Sequence, residues 1–230
     1  MEKRGAMMSR SARPEGWLRD CRRLLALGLI VLTQCVLAQD GRRFEDAAGW
    51  AATFDSAARD AWQKPDEVIH ALRLTPGMTV ADIGAGTGYF TTRLARSVPA
   101  GKVYAVDTAP GMVAYLKERV VREALENVQV VQATSDGPGL PERVDVVLLV
   151  NVQGLMVSPG DYFARLKESL KPGGRVAIIA TRVEADRGTR SEMRVPAERV
   201  TDDMLRQGYV LDAAHDFLER QYFLVFRPRP

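Results

Sequence analysis

Residues 79–90 read TVADIGAGTGYF: an apolar run passes without a spacer into Gly84, Gly86 and Gly88. No other segment constrains the fold as strongly. Residues 79–83 have the composition of a strand buried on both faces. Three glycines at alternate positions then let the backbone turn sharply and approach a ligand with no Cβ in the way. A helical stretch, 87–97, begins at once. Strand, glycine turn and helix in direct succession form the first half of a βαβ unit, which commits the chain to a parallel sheet with helical crossovers.

The rest of the chain repeats that alternation. Short runs rich in Val, Ile and Ala fall at 78–83, 102–106, 128–132, 144–150 and 175–180, each bounded by Gly, Pro or Asp. Helical stretches at 87–97, 111–125 and 159–170 separate most of them. A further helix is predicted at 196–207 and two more strands at 209–214 and 221–227. Upstream, Phe44, Ala47, Ala48, Ala51, Phe54, Ala58 and Ala61 recur at three- and four-residue spacing and predict one helix over 44–61. Pro65 with Asp66 and Glu67 opens another, since Pro suits a first turn and acids suit the helix dipole. The pattern is that of a doubly wound α/β sheet. The polar stretch 183–194 reads as a solvated loop.

In such sheets ligands bind beyond the carboxyl ends of the strands, where strand order reverses. The strand after the glycine loop ends at Asp107, 19 residues past Gly88. An acid there is placed to accept from both hydroxyls of a ribose. The spacing Gly84-x-Gly86-x-Gly88 departs from the dinucleotide fingerprint G-x-G-x-x-G, whose helix N-terminus holds a pyrophosphate. Asp82, two residues before Gly84, would repel a pyrophosphate and suit an ammonium. S-adenosylmethionine has a ribose, an ammonium and no phosphate, and is the expected cofactor.

These residues carry a family resemblance. Val80-Ala-Asp-Ile-Gly-Ala-Gly-Thr-Gly88, Val103-Tyr-Ala-Val-Asp107 and the Leu170-Lys-Pro-Gly-Gly-Arg175 turn resemble the first, second and pre-fifth-strand motifs of class I S-adenosylmethionine-dependent methyltransferases. The resemblance covers about residues 60–228. It implies a mostly parallel seven-stranded sheet with helices on both faces and an antiparallel last strand. It implies that Asp82, Gly84, Ala85, Gly86 and Gly88 hold the methionine end of the cofactor and Asp107 its ribose. Thr108 and Met112 would lie near the adenine, Thr134 would follow the third strand, and Asn151 would close the site at the end of the fourth. A small bacterial subgroup is most similar, through a Trp62–Ile69 helix and the Gln221–Phe226 ending. Two departures stand out. Thr134 occupies a position where relatives often carry an acid for the adenine amine, with Asp136 two residues later. Asn151-Val-Gln-Gly-Leu155 lacks the aromatic and histidine groups relatives often place near the transferred methyl.

The chain's formal charge of +3 is unevenly placed. Residues 1–38 hold seven basic and three acidic residues, which leaves 25 and 26 for the remainder. A nucleic-acid-binding domain is therefore not indicated. Residues 24–38, LLALGLIVLTQCVLA, form the one long apolar run, preceded by Arg22 and Arg23 and ending in Val36-Leu37-Ala38. That is the make-up of a secretory signal peptide; an uncleaved signal anchor and a buried helix are the alternatives. The first two readings export the domain after this run, to the periplasm or the outer face of the cytoplasmic membrane. The expected organisation is 1–38 signal peptide or anchor, 39–62 helical extension and 63–230 methyltransferase domain, with membrane contact only through the N-terminal segment. Cys21 and Cys35 both lie in that segment, so disulfides, thiolate metal sites and cysteine nucleophiles are excluded from the rest.

Methyl transfer from a sulfonium is an in-line displacement that depends mainly on alignment, so a dedicated base is not obligatory. The candidate bases are His70, His215 and Tyr89, each with a simpler packing role. Trp62 either covers the cofactor or staples a helix. No metal-ligand spacing is present. The expected acceptor is small or lipid-like and already nucleophilic, held between residues 151–155 and 183–194. The alternatives are a non-catalytic relative and, on the glycine loop alone, a nucleotide-dependent oxidoreductase.

Overall fold

The computed structural model describes residue 44 and residues 46–134, 137–156, 158–185 and 194–230. The apolar run at 24–38 lies outside the described residues. The order of elements is α1 (Ala47–Phe54), α2 (Ala57–Gln63), α3 (Pro65–Ala71), β1 (Thr79–Ile83), α4 (Thr91–Ser97), β2 (Lys102–Asp107), α5 (Pro110–Arg122), β3 (Val128–Gln132), β4 (Val144–Val150), a 3-10 turn (Gln153–Leu155), α6 (Pro159–Glu168), β5 (Leu170–Thr181), α7 (Ala197–Arg206), β6 (Tyr209–His215) and β7 (Gln221–Pro228).

The strands form one seven-stranded sheet in the order β3-β2-β1-β4-β5-β7-β6. β1 pairs in parallel with β2 on one side and β4 on the other. β7 inserts antiparallel between β5 and β6. Chain order therefore reverses between β1 and β4, and the glycine loop leaves the sheet at that switch point. All five residues of β1 are buried, as a central strand covered on both faces requires.

Side chains alternate across the sheet and build one core on each face. Along β7, Tyr222, Leu224 and Phe226 join Phe163, Leu166, Met204 and Tyr209 under α6 and α7. Phe223 and Val225 point the other way, to Val68, Leu72, Phe90 and Leu94 under α3 and α4. That β7 is buried on both faces explains why its sequence reads as a continuous apolar run.

Three local expectations need correction. The stripe over 44–61 is two helices, not one: Asp55 caps α1, and Ser56 adopts an extended φ of −59° and ψ of 131° before α2. The break lets α1 lie on α5 while α2 turns towards β7. Trp62–Ile69 likewise spans two helices, because Lys64 takes a left-handed φ of 45° and Pro65 starts α3. The Leu170–Gly174 segment is the irregular start of β5 rather than a separate turn, with a register shift against β4 and Gly173 at a φ of 78°.

Candidate functional site

The site is built where β1, β2 and β4 end. Gly84, Gly86 and Gly88 adopt φ values of 70°, 57° and 93°, a region that side chains disfavour. Two of them are also crowded: a β-carbon on Gly84 would sit 2.5 Å from Val152 Cγ2, and one on Gly88 would sit 3.0 Å from Leu116 Cδ2. One on Gly86 would make ordinary contact with the Phe54 ring at 3.6 Å. The loop thus lies between Phe54 of α1 and the residue before the 3-10 turn.

The loop turns its amides inward. Gly84 and Ala85 both donate to the Val106 carbonyl, at 2.8 and 3.0 Å, and Gly88 donates to Ala85 at 2.9 Å. Gly86 N–H donates to Asp107 Oδ2 at 2.9 Å, and Ala109 N–H to Asp107 Oδ1 at 3.0 Å. Each Asp107 oxygen therefore accepts one backbone proton, fixing the plane of the carboxylate. A carboxylate offers about four acceptor positions, so both oxygens can still receive a hydroxyl. Burial raises the Asp107 pKa, with the hydrogen-bonded Ala109 and Gly86 amides pulling the other way.

Asp82, on β1, is 3% exposed. Its Oδ2 accepts from Thr91 Oγ1 at 2.6 Å, where α4 begins. Burial pushes its pKa up to about 6, with Thr91 and the Arg59 charge pulling the other way. Arg59 comes from α2. Its Nη1 donates to the Phe54 carbonyl at 2.7 Å and its Nε to Gln63 Oε1 at 2.9 Å. The guanidinium carbon lies 3.8 Å from the centre of the Tyr89 ring, and that of Arg93 lies 4.2 Å from it. Tyr89 itself donates to Asp60. The hinge between α1 and α2 is pinned to the loop as well. Asp55 Oδ1 accepts from Thr87 Oγ1 at 3.1 Å and from Arg119 Nη1 at 2.9 Å.

The structure thus brings Asp82, the three glycines, Ala85 and Asp107 together. Met112 is 1% exposed and packs with Ala47 and Ala109 beneath Phe44, Trp50 and Phe54 of the α1 segment. Thr108 is exposed beside Asp107, and Thr134 lies two residues beyond Gln132, the β3 partner of Asp107. Asp136 lies outside the described residues. Asn151 has a φ of 57°, and its Oδ1 is taken up by the fold. That oxygen accepts from Thr181 N and Oγ1 at 3.1 and 3.2 Å and from Gln221 Nε2 at 3.1 Å. Only its Nδ2 hydrogens can face a ligand.

Other candidates sit apart. His70 is exposed in the last turn of α3. His215 ends β6 at the far edge of the sheet, 4.7 Å from the Phe223 ring centre. Trp62 lines a cleft of about 400 Å³ with Lys64 and Arg220, and the Arg220 guanidinium lies 5.7 Å from its ring centre. A larger cleft of about 620 Å³, lined by Asp55, Asp60, Tyr89, Arg93 and Arg119, flanks the glycine loop and does not include Asp82 or Asp107. Arg59 and Asp55 have no mark in the sequence that separates them from other charged residues; only the folding of α1 and α2 over the loop brings them here.

Comparison with known proteins agrees with this geometry. Residues 80–174 match a methyltransferase domain. A malonyl-(acyl-carrier protein) O-methyltransferase of Hahella chejuensis is 29% identical over 135 residues, 57% of this chain and 47% of that protein. A demethylmenaquinone methyltransferase of Lactococcus lactis is 37% identical over 110 residues, 46% of this chain and 42% of that protein. The chain spans about half the length of these curated relatives or less. The crystal structure of a SAM-dependent methyltransferase from Aquifex aeolicus matches with a TM-score of 0.73 at 27% identity, over 79% of this chain and 97% of that one.

The chain carries a class I S-adenosylmethionine-dependent methyltransferase domain. The site suits that family's cofactor and not a pyrophosphate. In this methyltransferase fold the N–H groups of Gly84, Ala85, Gly86 and Gly88 all have acceptors within the protein, so these four amides do not cradle an anion. The groups it does offer are two carboxylates, one oriented by backbone amides and one buried beside the loop. They match a diol and an ammonium.

Proposed function

We propose that the chain binds S-adenosylmethionine through Asp107, Asp82 and the glycine loop and transfers its methyl group to a small or lipid-like acceptor. The observation that carries this reading is the Asp107 carboxylate, held by Gly86 and Ala109 with an acceptor position open on each oxygen. When bound, the cofactor supplies a sulfonium methyl, whose transfer leaves a neutral thioether. Asp107 fixes the ribose end and Asp82 receives the ammonium, so the two carboxylates set the direction in which the methyl points. Phe54 and Val152 flank the loop from two sides.

The 152–156 segment that would meet the acceptor is mostly apolar: Val152 and Met156 pack against the core, while Leu155 is 38% exposed. The polar groups of the 151–155 segment are the amides of Asn151 and Gln153, which cannot take a proton at neutral pH. The acceptor therefore arrives already nucleophilic, as a thiolate, an enolate-like carbon or a soft anion. The names of relatives acting on malonyl-acyl-carrier protein and demethylmenaquinone support the small-molecule or lipid-like class. Calorimetric titration with S-adenosylmethionine and with NAD tests the cofactor. Binding of the first and not the second is expected; the reverse would sink the reading.

A further inference from the structure

Among the described residues, buried side-chain amides are paired, with one exception. Gln63 and Gln221 are fully buried, and Gln63 Nε2 donates to Gln221 Oε1 at 2.6 Å. Gln63 Oε1 accepts from Arg59, and Gln221 Nε2 donates to Asn151. Gln153 is 3% exposed, yet neither its Nε2 nor its Oε1 has a hydrogen-bond partner among the described residues. Leaving both ends of a buried amide unpaired is costly, and an apolar side chain of the same length would avoid the cost.

Its position suggests what the amide is for. Gln153 opens the 3-10 turn that comes after β4, the strand paired with the one that leads into the glycine loop. Its neighbour Val152 touches the space over Gly84. Its chain neighbours are apolar: Val152 and Met156 pack against the core and Leu155 is exposed. The turn is held by two local bonds, Leu155 N–H to the Val152 carbonyl at 2.9 Å and Met156 N–H to the Gln153 carbonyl at 3.3 Å. Neither bond involves a strand of the sheet.

We propose that Gln153 recognises the methyl acceptor, and that the acceptor presents to it a planar edge with a donor beside an acceptor, as a carboxamide or lactam does. Such an edge pairs Nε2 and Oε1 together, which a single hydroxyl cannot do with good geometry. Apart from that edge and its nucleophilic atom, the acceptor is apolar. The proposal rests on the methyltransferase reading for its meaning, but the pairing is tested separately. A site built around a buried amide discriminates against ligands that leave it unpaired far more than an apolar site discriminates by size.

The test compares wild type with Gln153→Met, using benzamide as the probe and toluene as its apolar counterpart. Binding is measured by ligand-observed NMR, with and without S-adenosylmethionine. Benzamide should bind wild type and be weakened at least about tenfold in the variant, while toluene is not weakened. The variant should melt about 2–4 °C higher, since it removes an unpaired buried amide. Its S-adenosylmethionine affinity should match wild type. Equal benzamide binding in both proteins, or none in wild type, would overturn the proposal. So would a lower melting temperature, which would reveal a structural partner, or lost S-adenosylmethionine affinity, which would assign Gln153 to the cofactor. Failure of wild type to bind S-adenosylmethionine would instead defeat the cofactor reading, and the benzamide comparison without it would still decide Gln153.

Discussion

Two carboxylates behave differently at the site because their surroundings differ. Asp107 is oriented by two backbone amides on opposite oxygens. A charge-assisted contact to both ribose hydroxyls is worth roughly 1.5–3 kcal/mol, so Asp107→Ala should weaken cofactor binding at least tenfold. Calorimetry on the folded variant checks this, and His70→Ala, at an exposed helix end, is the control that should change nothing. Asp82 is governed by burial, which raises its pKa to about 6. An ammonium partner needs the ionised form. Cofactor affinity should therefore rise as pH rises through about 6 and level off above it, and Asp82→Asn should flatten that rise. Stability runs the opposite way without cofactor. A raised carboxyl pKa favours the protonated native state, so the Asp82 contribution is present at low pH and lost as pH passes about 6. Relative to wild type, Asp82→Asn should gain melting temperature across that window; no relative gain would show that Asp82 is not desolvated.

At the scale of elements, the connections that matter run between segments far apart in sequence. Gln63 on α2 and Gln221 on β7 meet at 2.6 Å, and Gln221 continues to Asn151 at the end of β4. This chain ties α2 to β7 and to the end of β4. Gln63→Leu would leave Gln221 Oε1 buried without its donor and should cost about 1–3 kcal/mol. The double variant Gln63→Leu/Gln221→Leu should cost less than the sum of the two single changes, because each single change orphans the other amide. Denaturant unfolding of the three variants decides it; strict additivity would mean that the two amides are not coupled. The sequence showed α2 only as an apolar stripe. Its break at Asp55–Ser56 was hidden, because Asp55 turns out of helix geometry to meet Thr87 and Arg119, which lie 32 and 64 residues away.

For the whole molecule, Arg43–Pro230 form one compact unit. No helix among the described residues is long and apolar enough to cross a membrane. The basic stretch and the apolar run at 24–38 lead us to propose export, with a mature N-terminus near Gln39. Mass spectrometry of the native protein tests this: a mass beginning near Gln39 is expected, and an intact Met1 start in a cytoplasmic fraction would defeat it.

The α/β class, the strand series and the glycine loop with Asp82 and Asp107 were legible in the sequence. Each depends on local composition, on glycine's access to positive φ, or on a spacing fixed by one strand–helix–strand unit. Tertiary structure alone decided the rest. Asn151 looked like a cofactor contact, but its oxygen is claimed by Thr181 and Gln221 once β5 and β7 lie alongside. Gln153 stood in the segment expected to line the acceptor, and only packing shows its amide buried without a partner among the described residues. Arg59 reaches the neighbourhood of Asp82 because α2 folds back over the loop. Hydrogen bonds and charges of this kind join residues whose separation carries no periodicity. Their partners are chosen by which surfaces the hydrophobic core brings together, and no local pattern encodes that choice.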